Sequence, residues 1–232
     1  MRYSFTEAEA ASDESGKGDF FGGLHISLTY LDSEGYILLK NENILQKIND
    51  SKLLSDATVY YLAPKLQELL DWRILSISFE ISEYNRIYEK FQNINLLLSY
   101  GHNLLWEKLE KLLREKGKLF PPKTIVDQFC TAKKYYQHLE SINIEGINLT
   151  FFETKAEQKY LSCAISSIIS RYLFLEEVDK LSKSLDYELP LGASSAVVRA
   201  FGVLHRKRGF KAEQYCKTHF KTLEEAKRLP SA

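Results

Sequence analysis

The stretch Asp13-Glu14-Ser15-Gly16-Lys17-Gly18-Asp19-Phe20-Phe21-Gly22 constrains the fold more than any other part of this chain. Neighbouring side chains on a strand point to opposite faces, so two adjacent carboxylates serve one site only where the strand bends. Gly16, Gly18 and Gly22 supply that bend, because glycine takes positive φ and lets a ligand backbone come close. Lys17 adds a cation among backbone N–H groups, which suits a phosphate. An acidic, glycine-rich turn also reads as a solvated loop when taken alone, so the remaining sequence has to decide.

That sequence alternates β-rich runs with helical periodicity. Residues 1–12 are a short Ala/Glu-rich lead into a first strand. Residues 24–31 (LHISLTYL) read as a strand, and Asp32-Ser33-Glu34-Gly35 as a turn into 36–40, giving a hairpin. Asp50 or Ser51 is expected to cap a helix over 55–70, which Pro64 breaks or edges. A strand is expected over 74–81, then one long helix over 82–116 stopped by Gly117. Thr124-Ile125-Val126-Asp127 is a short apolar run ending in a carboxylate, and 147–152 is another strand. A helix over 158–182 carries a core stripe through Leu161, Ala164, Ile165, Ile168 and Ile169. Helices over 195–209 and 211–228 finish the chain. The alternation predicts an α/β fold, a mixed central sheet flanked by helices. The length allows one large domain or two small ones, and a single domain over 1–232 with its core at about 8–228 is expected.

Net charge is zero, which argues against a purely electrostatic nucleic-acid binder. Its distribution is uneven. Nine Lys or Arg against three Glu between Arg199 and Arg228 leave that segment six charges positive, and the rest six negative. A basic segment of this kind guides a polyanion, or is simply a solvated helix face. Three cysteines without metal-type spacing are expected to stay reduced in the cytoplasm. No apolar run is long enough for a membrane span, and the acidic N-terminus does not read as a secretory signal.

Asp13, Glu14, Asp127 and Glu157 share a context: each lies at or just beyond the end of an apolar strand. If those strands are neighbours, four carboxylates converge on one sheet edge, where like charges raise each other's pKa. Divalent cations resolve the conflict, and hard oxygen donors favour Mg²⁺ or Mn²⁺. Two such ions about 4 Å apart make the usual arrangement for phosphodiester cleavage.

The same residues carry a resemblance. Asp13 to Gly22 resembles the signature of ribonuclease HIII, a type 2 ribonuclease H. The likeness runs on through Asp50-Ser51-Lys52, Tyr84-Asn85, Phe91 to Asn95, His102 and Asp127-Gln128-Phe129. It continues through Thr154-Lys155-Ala156-Glu157, 164–171, 189–193 and Lys217-Thr218-His219-Phe220, so it spans nearly the whole chain. The resemblance implies a ribonuclease H-like fold and Mg²⁺- or Mn²⁺-dependent hydrolysis of RNA in RNA–DNA hybrids, leaving a 5′-phosphate and a 3′-hydroxyl. It makes Asp13, Glu14, Asp127 and Glu157 the catalytic, metal-binding carboxylates, with Asp13 bridging two ions, Glu14 and Asp127 on one, and Glu157 on the other. Ser15, Gly16, Lys17 and Gly18 then read the RNA strand. Ser51 and Lys52 read either as further substrate contacts or as a cap and a solvated lysine, and Lys155 as a phosphate contact or a carboxylate's partner. A monomer acting on hybrid, with no membrane partner, is expected.

This chain also departs from the family pattern. Gly23 stands where proline is usual, the first strand is Ala-rich, and His25 and Ser27 interrupt an otherwise apolar strand. Family members usually carry an N-terminal substrate-binding domain, and only twelve residues precede Asp13. His102 reads as a packed or hydrogen-bonded residue, His219 as structural, and Trp72 and Trp106 as core or edge packing. Two other readings are a ribonuclease HII-like enzyme cutting at single embedded ribonucleotides and a hybrid-binding protein without catalysis.

Overall fold

The computed structural model describes residues 3, 5–49 and 51–223. Five strands, β1 (Glu9–Ser15), β2 (Leu24–Leu31), β3 (Ile74–Phe79), β4 (Lys123–Asp127) and β5 (Phe151–Glu153), form one mixed sheet in the order β3-β2-β1-β4-β5. β1 is central. It runs parallel to β4, with Glu9 opposite Lys123 and Ser12 opposite Val126, and β4 runs parallel to β5. Parallel neighbours bring their C-terminal ends to one edge, the edge to which the acidic residues belong.

The alanines of β1 follow from what packs on it. Ser166, in α6 (Leu161–Leu185), donates its hydroxyl to the Ala11 carbonyl at 2.8 Å and pairs with the Thr29 hydroxyl at 2.9 Å. A β-branched residue at position 11 would hold that helix away. Ala11 packs instead with Ile125, Ala156 and Cys163, all fully buried.

Several local expectations are corrected. The hairpin is absent: Asp32-Ser33-Glu34-Gly35 starts helix α1 (Ser33–Asn41), because the Asp32 carboxylate accepts from the Gly35 N–H and caps it. Turn formers and N-caps are the same residue types, so the sequence signal was ambiguous. Helix α2 (Asp56–Leu70) is capped by Ser55, not by Ser51, which opens a short 3₁₀ turn; Asp50 lies outside the described residues. Pro64 sits inside α2 without ending it. An interior proline costs about 3 kcal/mol, offset here by a buried face of Val59, Leu62, Ala63, Leu66 and Leu70. The long helix is two: α3 (Ile81–Phe91) stops at Gln92 in a left-handed conformation, and Asn93 caps α4 (Ile94–Glu115). Helix α5 (Ala132–Ser141), capped by Thr131, was not anticipated. The strand expected over 147–152 is confined to β5. Helix α7 (Ser195–Leu204) follows α6, and between 211 and 223 the described elements include a 3₁₀ turn at Ala212–Gln214. The remainder of the last expected helix, 224–228, lies outside the described residues.

The chain clusters into two compact units. The first comprises Met1–Ser15, Ile26–Ile77 and Asn93–Tyr172. In it Ser27 is no disruption, because its hydroxyl bonds that of Ser76 across β2 and β3 at 2.9 Å. The second comprises Gly16–His25, Ser78–Gln92 and Leu173–Ala232. Its core gathers Phe20, Phe21, Phe174, Val178, Leu189, Val197 and Phe201. His25 is buried there, bonded to Ser78 through Nδ1 and to Glu177 through Nε2.

Candidate active site

Asp13 and Glu14 lie near the C-terminal end of β1, and Asp127 ends β4. β1 and β4 pair in register as far as Ser12 with Val126, so the next residue on each strand, Asp13 and Asp127, stands level at the sheet edge. Glu157 belongs to the 3₁₀ turn Ala156–Gln158 that follows β5. Asp127 Oδ1 accepts the Ala156 N–H at 3.0 Å, which ties the end of β4 to the turn carrying Glu157. Tyr3 donates its hydroxyl to the Glu157 carbonyl at 2.7 Å from the other side. Asp13 and Glu157 are 7% and 4% exposed, so charge here is held largely out of water.

Burial, followed by the fields of Asp127 and Glu14, pushes the Asp13 carboxyl well above its ordinary range, with the Ser167 hydroxyl and the Glu14 N–H pulling it back. Asp127 is raised by burial and by Glu14, against hydrogen bonding from Ala156 and the charges of Lys52 and His102. The Cys163 thiol is pushed up by burial and then by Asp13, Asp127, Glu157 and Glu9, so three of the four carboxylates act on one buried sulfur. A donor set of oxygens alone, crowded and desolvated, fits a hard divalent cation. Among the described residues, no three His, Cys, Asp or Glu side chains already form a finished ion cage. Asp13 Oδ1 accepts the Glu14 N–H at 2.7 Å, and Glu14 Oε2 lies 3.3 Å from His102 Nε2.

The expected substrate residues divide by position. Ser15 is the half-buried last residue of β1, and Lys52 and Lys155 are exposed. Lys155 takes a left-handed conformation (φ 57) that turns β5 into the Glu157 turn. Ser51 is buried; its hydroxyl bonds Ser167 at 2.7 Å, and Ser167 in turn bonds Asp13, so Ser51 acts on a carboxylate rather than on the surface. Arg171 holds this segment through the carbonyls of Ser51 and Leu54 and through Asp56. Gly16, Lys17 and Gly18 open the first segment of the second unit, with Gly16 buried, Lys17 half-buried and Gly18 exposed. Gly16 is irreplaceable on two counts. Its φ is +92°, and a Cβ would stand 2.4 Å from the Gly23 carbonyl oxygen.

Sequence reasoning missed the support around these groups. His102, read as a packed or hydrogen-bonded residue, is both: it is fully buried, bonds Ser12 Oγ at 2.8 Å and faces Glu14, a carboxylate partner that reading did not name. The Asp19 carboxylate accepts the Gly192 N–H at 2.6 Å. Of the basic C-terminal residues, Lys217 is 0% exposed and therefore no phosphate contact, whereas Arg199, Arg206, Lys207, Arg208, Lys211 and Lys221 are exposed. Trp106 is buried, and Trp72 packs against Tyr30 and the Arg73 guanidinium. No helix among the described residues is long and apolar enough to cross a membrane.

Comparison with known proteins places this geometry. The family model described as Ribonuclease HII matches residues 10–223. A protein named Ribonuclease HIII from Streptococcus pneumoniae (strain 70585) is 32% identical over 219 residues, which cover 94% of this chain and 71% of that protein. Another of that name, from Protochlamydia amoebophila (strain UWE25), is 36% identical over 91% of this chain and 66% of its own length. The chain thus spans about two thirds of the length of these relatives. Among solved structures, Bst-RNase HIII in complex with Mn²⁺ superposes with a TM-score of 0.80 at 29% identity, covering 95% of this chain and 69% of that one. Ribonuclease H2 from Pyrococcus horikoshii OT3, 21% identical with a TM-score of 0.61, shares the fold over 94% of this chain and 96% of its own.

Proposed function

Since this chain belongs to the ribonuclease HII family, with ribonucleases HIII among its relatives, we propose that it is an endonuclease hydrolysing the RNA strand of RNA–DNA hybrids. The observation that carries this reading is the pairing of β1 with β4, which sets Asp13 and Asp127 side by side at one sheet edge with Glu14 and the Glu157 turn. Asp13, Glu14, Asp127 and Glu157 would hold one or two Mg²⁺ or Mn²⁺ ions. When bound, such ions supply charge neutralisation and Lewis-acid activation for an in-line attack on a phosphodiester.

The chain's own groups do the rest. The Ala156 N–H fixes the carboxylate of Asp127, and His102 holds Glu14. Ser51 and Ser167 support Asp13 from within. Lys52 and Lys155, exposed cations of the same unit, meet the phosphate backbone, an attraction that weakens with salt. Gly16, Lys17 and Gly18 present backbone groups to the RNA 2′-hydroxyls, the only groups that distinguish the strand from DNA. The products are a 5′-phosphate and a 3′-hydroxyl.

The test is cleavage of a labelled RNA–DNA hybrid with Mg²⁺ or Mn²⁺, beside Asp127→Asn. Asparagine keeps shape and loses the ligand charge, so the variant is expected to fold and to lose several powers of ten in rate. Hybrid binding without cutting under any divalent cation would make the protein a binder instead. Near-normal turnover of Asp127→Asn at saturating metal would remove Asp127 from the site.

A further inference from the structure

The Lys217-Thr218-His219-Phe220 motif has no part in the chemistry above, yet it holds the one fully buried lysine among the described residues. Lys217 Nζ donates to the Asp19 carbonyl at 2.7 Å and to the Gly22 carbonyl at 2.6 Å. Its own N–H donates to the Phe20 carbonyl at 2.8 Å. The Gly22 N–H donates to the Tyr215 carbonyl at 3.1 Å, and Phe21 forms an antiparallel bridge with Cys216. One residue therefore binds three carbonyls of the glycine segment, those of Asp19, Phe20 and Gly22, through side chain and main chain together.

The surroundings show why a lysine is tolerated there. Its ammonium lies 5.0 Å from the centre of the Tyr84 ring and 5.9 Å from that of Phe220. Burial lowers the Lys217 pKa to about 8, with Asp19, Glu177 and Cys216 pulling it upward. Burying an ammonium is expensive unless its donors are used, and two are used on main-chain carbonyls of one loop. The rest of the motif is fixed in turn. Asn85 accepts the Thr218 N–H at 3.2 Å and donates to the Cys216 carbonyl at 2.9 Å, and His219 stacks on Tyr88 with ring centres 3.7 Å apart. The opposite end of the loop is held by a carboxylate: Glu177 Oε2 accepts the Gly23 N–H at 2.8 Å, while Oε1 accepts the Ile81 N–H at 2.7 Å.

A packing lysine needs only a place for its methylenes and a wet end for its charge. This one has no wet end, and its charge is spent on the backbone between Gly18 and Gly23. We propose that Lys217 is a positioning residue for substrate selection: it presets the Gly16–Gly22 backbone in the form that recognises the RNA strand. The inference rests on the hybrid-nuclease reading and assigns part of its RNA-versus-DNA discrimination to a residue that touches no substrate.

The experiment compares affinities for an RNA–DNA hybrid and for a DNA duplex of the same sequence, in the Asp127→Asn background, with and without Lys217→Met. General loss of folded protein lowers both affinities alike and leaves their ratio unchanged. Loop displacement lowers the ratio, because an error of about 1 Å in a positioned group costs up to ~100-fold. A ratio reduced tenfold or more in folded Lys217→Met is expected, and an unchanged ratio overturns the proposal. If Lys217→Met does not fold, amide exchange in the protein with native Lys217 decides. Amides of residues 16–22 should be protected without hybrid and little altered by adding it. A loop that exchanges freely until hybrid is bound overturns the proposal. Equal affinity of the native-Lys217 protein for hybrid and DNA duplex would instead overturn the nuclease reading beneath it.

Discussion

The imidazole of His102 spans two residues of β1, with Nδ1 2.8 Å from Ser12 Oγ and Nε2 3.3 Å from Glu14 Oε2. Ring and carboxylate are almost closed to solvent, at 0% and 11% side-chain exposure, so the contact sets the direction in which Glu14 points. Groups that orient a metal-binding carboxylate change metal affinity or activity by about 10–100-fold when removed. His102→Ala is expected to lose activity in that range and to recover part of it as Mn²⁺ is raised. A metal titration of the variant, with its melting temperature recorded, checks this. Unchanged metal dependence would mean that Glu14 is held by other groups.

Gly23 answers a different question, why this chain lacks the family's usual proline. A Cβ at this position would lie 2.0 Å from the Phe79 carbonyl oxygen and 2.9 Å from the Glu80 carbonyl carbon. Both are backbone atoms, so neither can rotate away. Its N–H, which proline lacks, is the one accepted by Glu177. Gly23→Ala is expected to cost roughly 3 kcal/mol through the clash, and Gly23→Pro more through the lost hydrogen bond. Urea unfolding of both variants measures the order. A proline variant as stable as the parent would show that the backbone relaxes there.

Stability at low pH should follow Asp32. Burial pushes its carboxyl up, but hydrogen bonds from Lys118, the Gly35 N–H and Arg73 outweigh that and bring it to about 2. An unfolded aspartate titrates near ~3.9. The folded value is the lower one, so the stabilisation is complete above about pH 4 and is lost as pH falls towards 2. Allowing for screening at the more open partners, its size is roughly 1–2 kcal/mol. Urea unfolding of native protein and Asp32→Asn between pH 7 and 2 tests this, because other carboxylates cancel in the difference. A stability gap that stays constant across that range would contradict it.

Substrate choice should favour runs of RNA. A lone ribonucleotide offers a single 2′-hydroxyl, which demands accurate placement of the loop that reads it. Lys17 is a flexible point charge, and a lysine holds geometry less tightly than a planar arginine fork. Cleavage is expected within stretches of several ribonucleotides, with at least ~10-fold less at a single one. Two matched duplexes under one metal decide it, and equal rates would assign the enzyme the ribonuclease HII preference.

What the chain reveals by inspection depends on how local the cause is. The convergence of Asp13, Glu14 and Asp127 at one sheet edge was legible because a carboxylate ending an apolar run is a pattern within a few residues. Asp32-Ser33-Glu34-Gly35 was misread because a cap and a turn use the same local chemistry, and the arrival of Arg73 and Lys118 at Asp32 lies 41 and 86 positions away. The division at Gln92 rests on one left-handed residue, which no periodicity registers. Lys217 and Glu177 were beyond reach for the opposite reason. Both look like surface charges until the fold surrounds them, and their partners are the main chain of a loop 154 to 198 positions earlier.

The parallel alignment of β1 with β4 also has a cost in time. Asp13 and Asp127 are 114 positions apart. Bringing the ends of so long a loop together loses about 4 kcal/mol of chain entropy before any contact offsets it. Parallel pairings across such separations form slowly compared with helices. Refolding should therefore show two clocks: helix signal returning early, and nuclease activity returning only when the first and fourth strands have met. A nascent chain would likewise have no catalytic centre until more than half of it had been made, however well its first strand was formed.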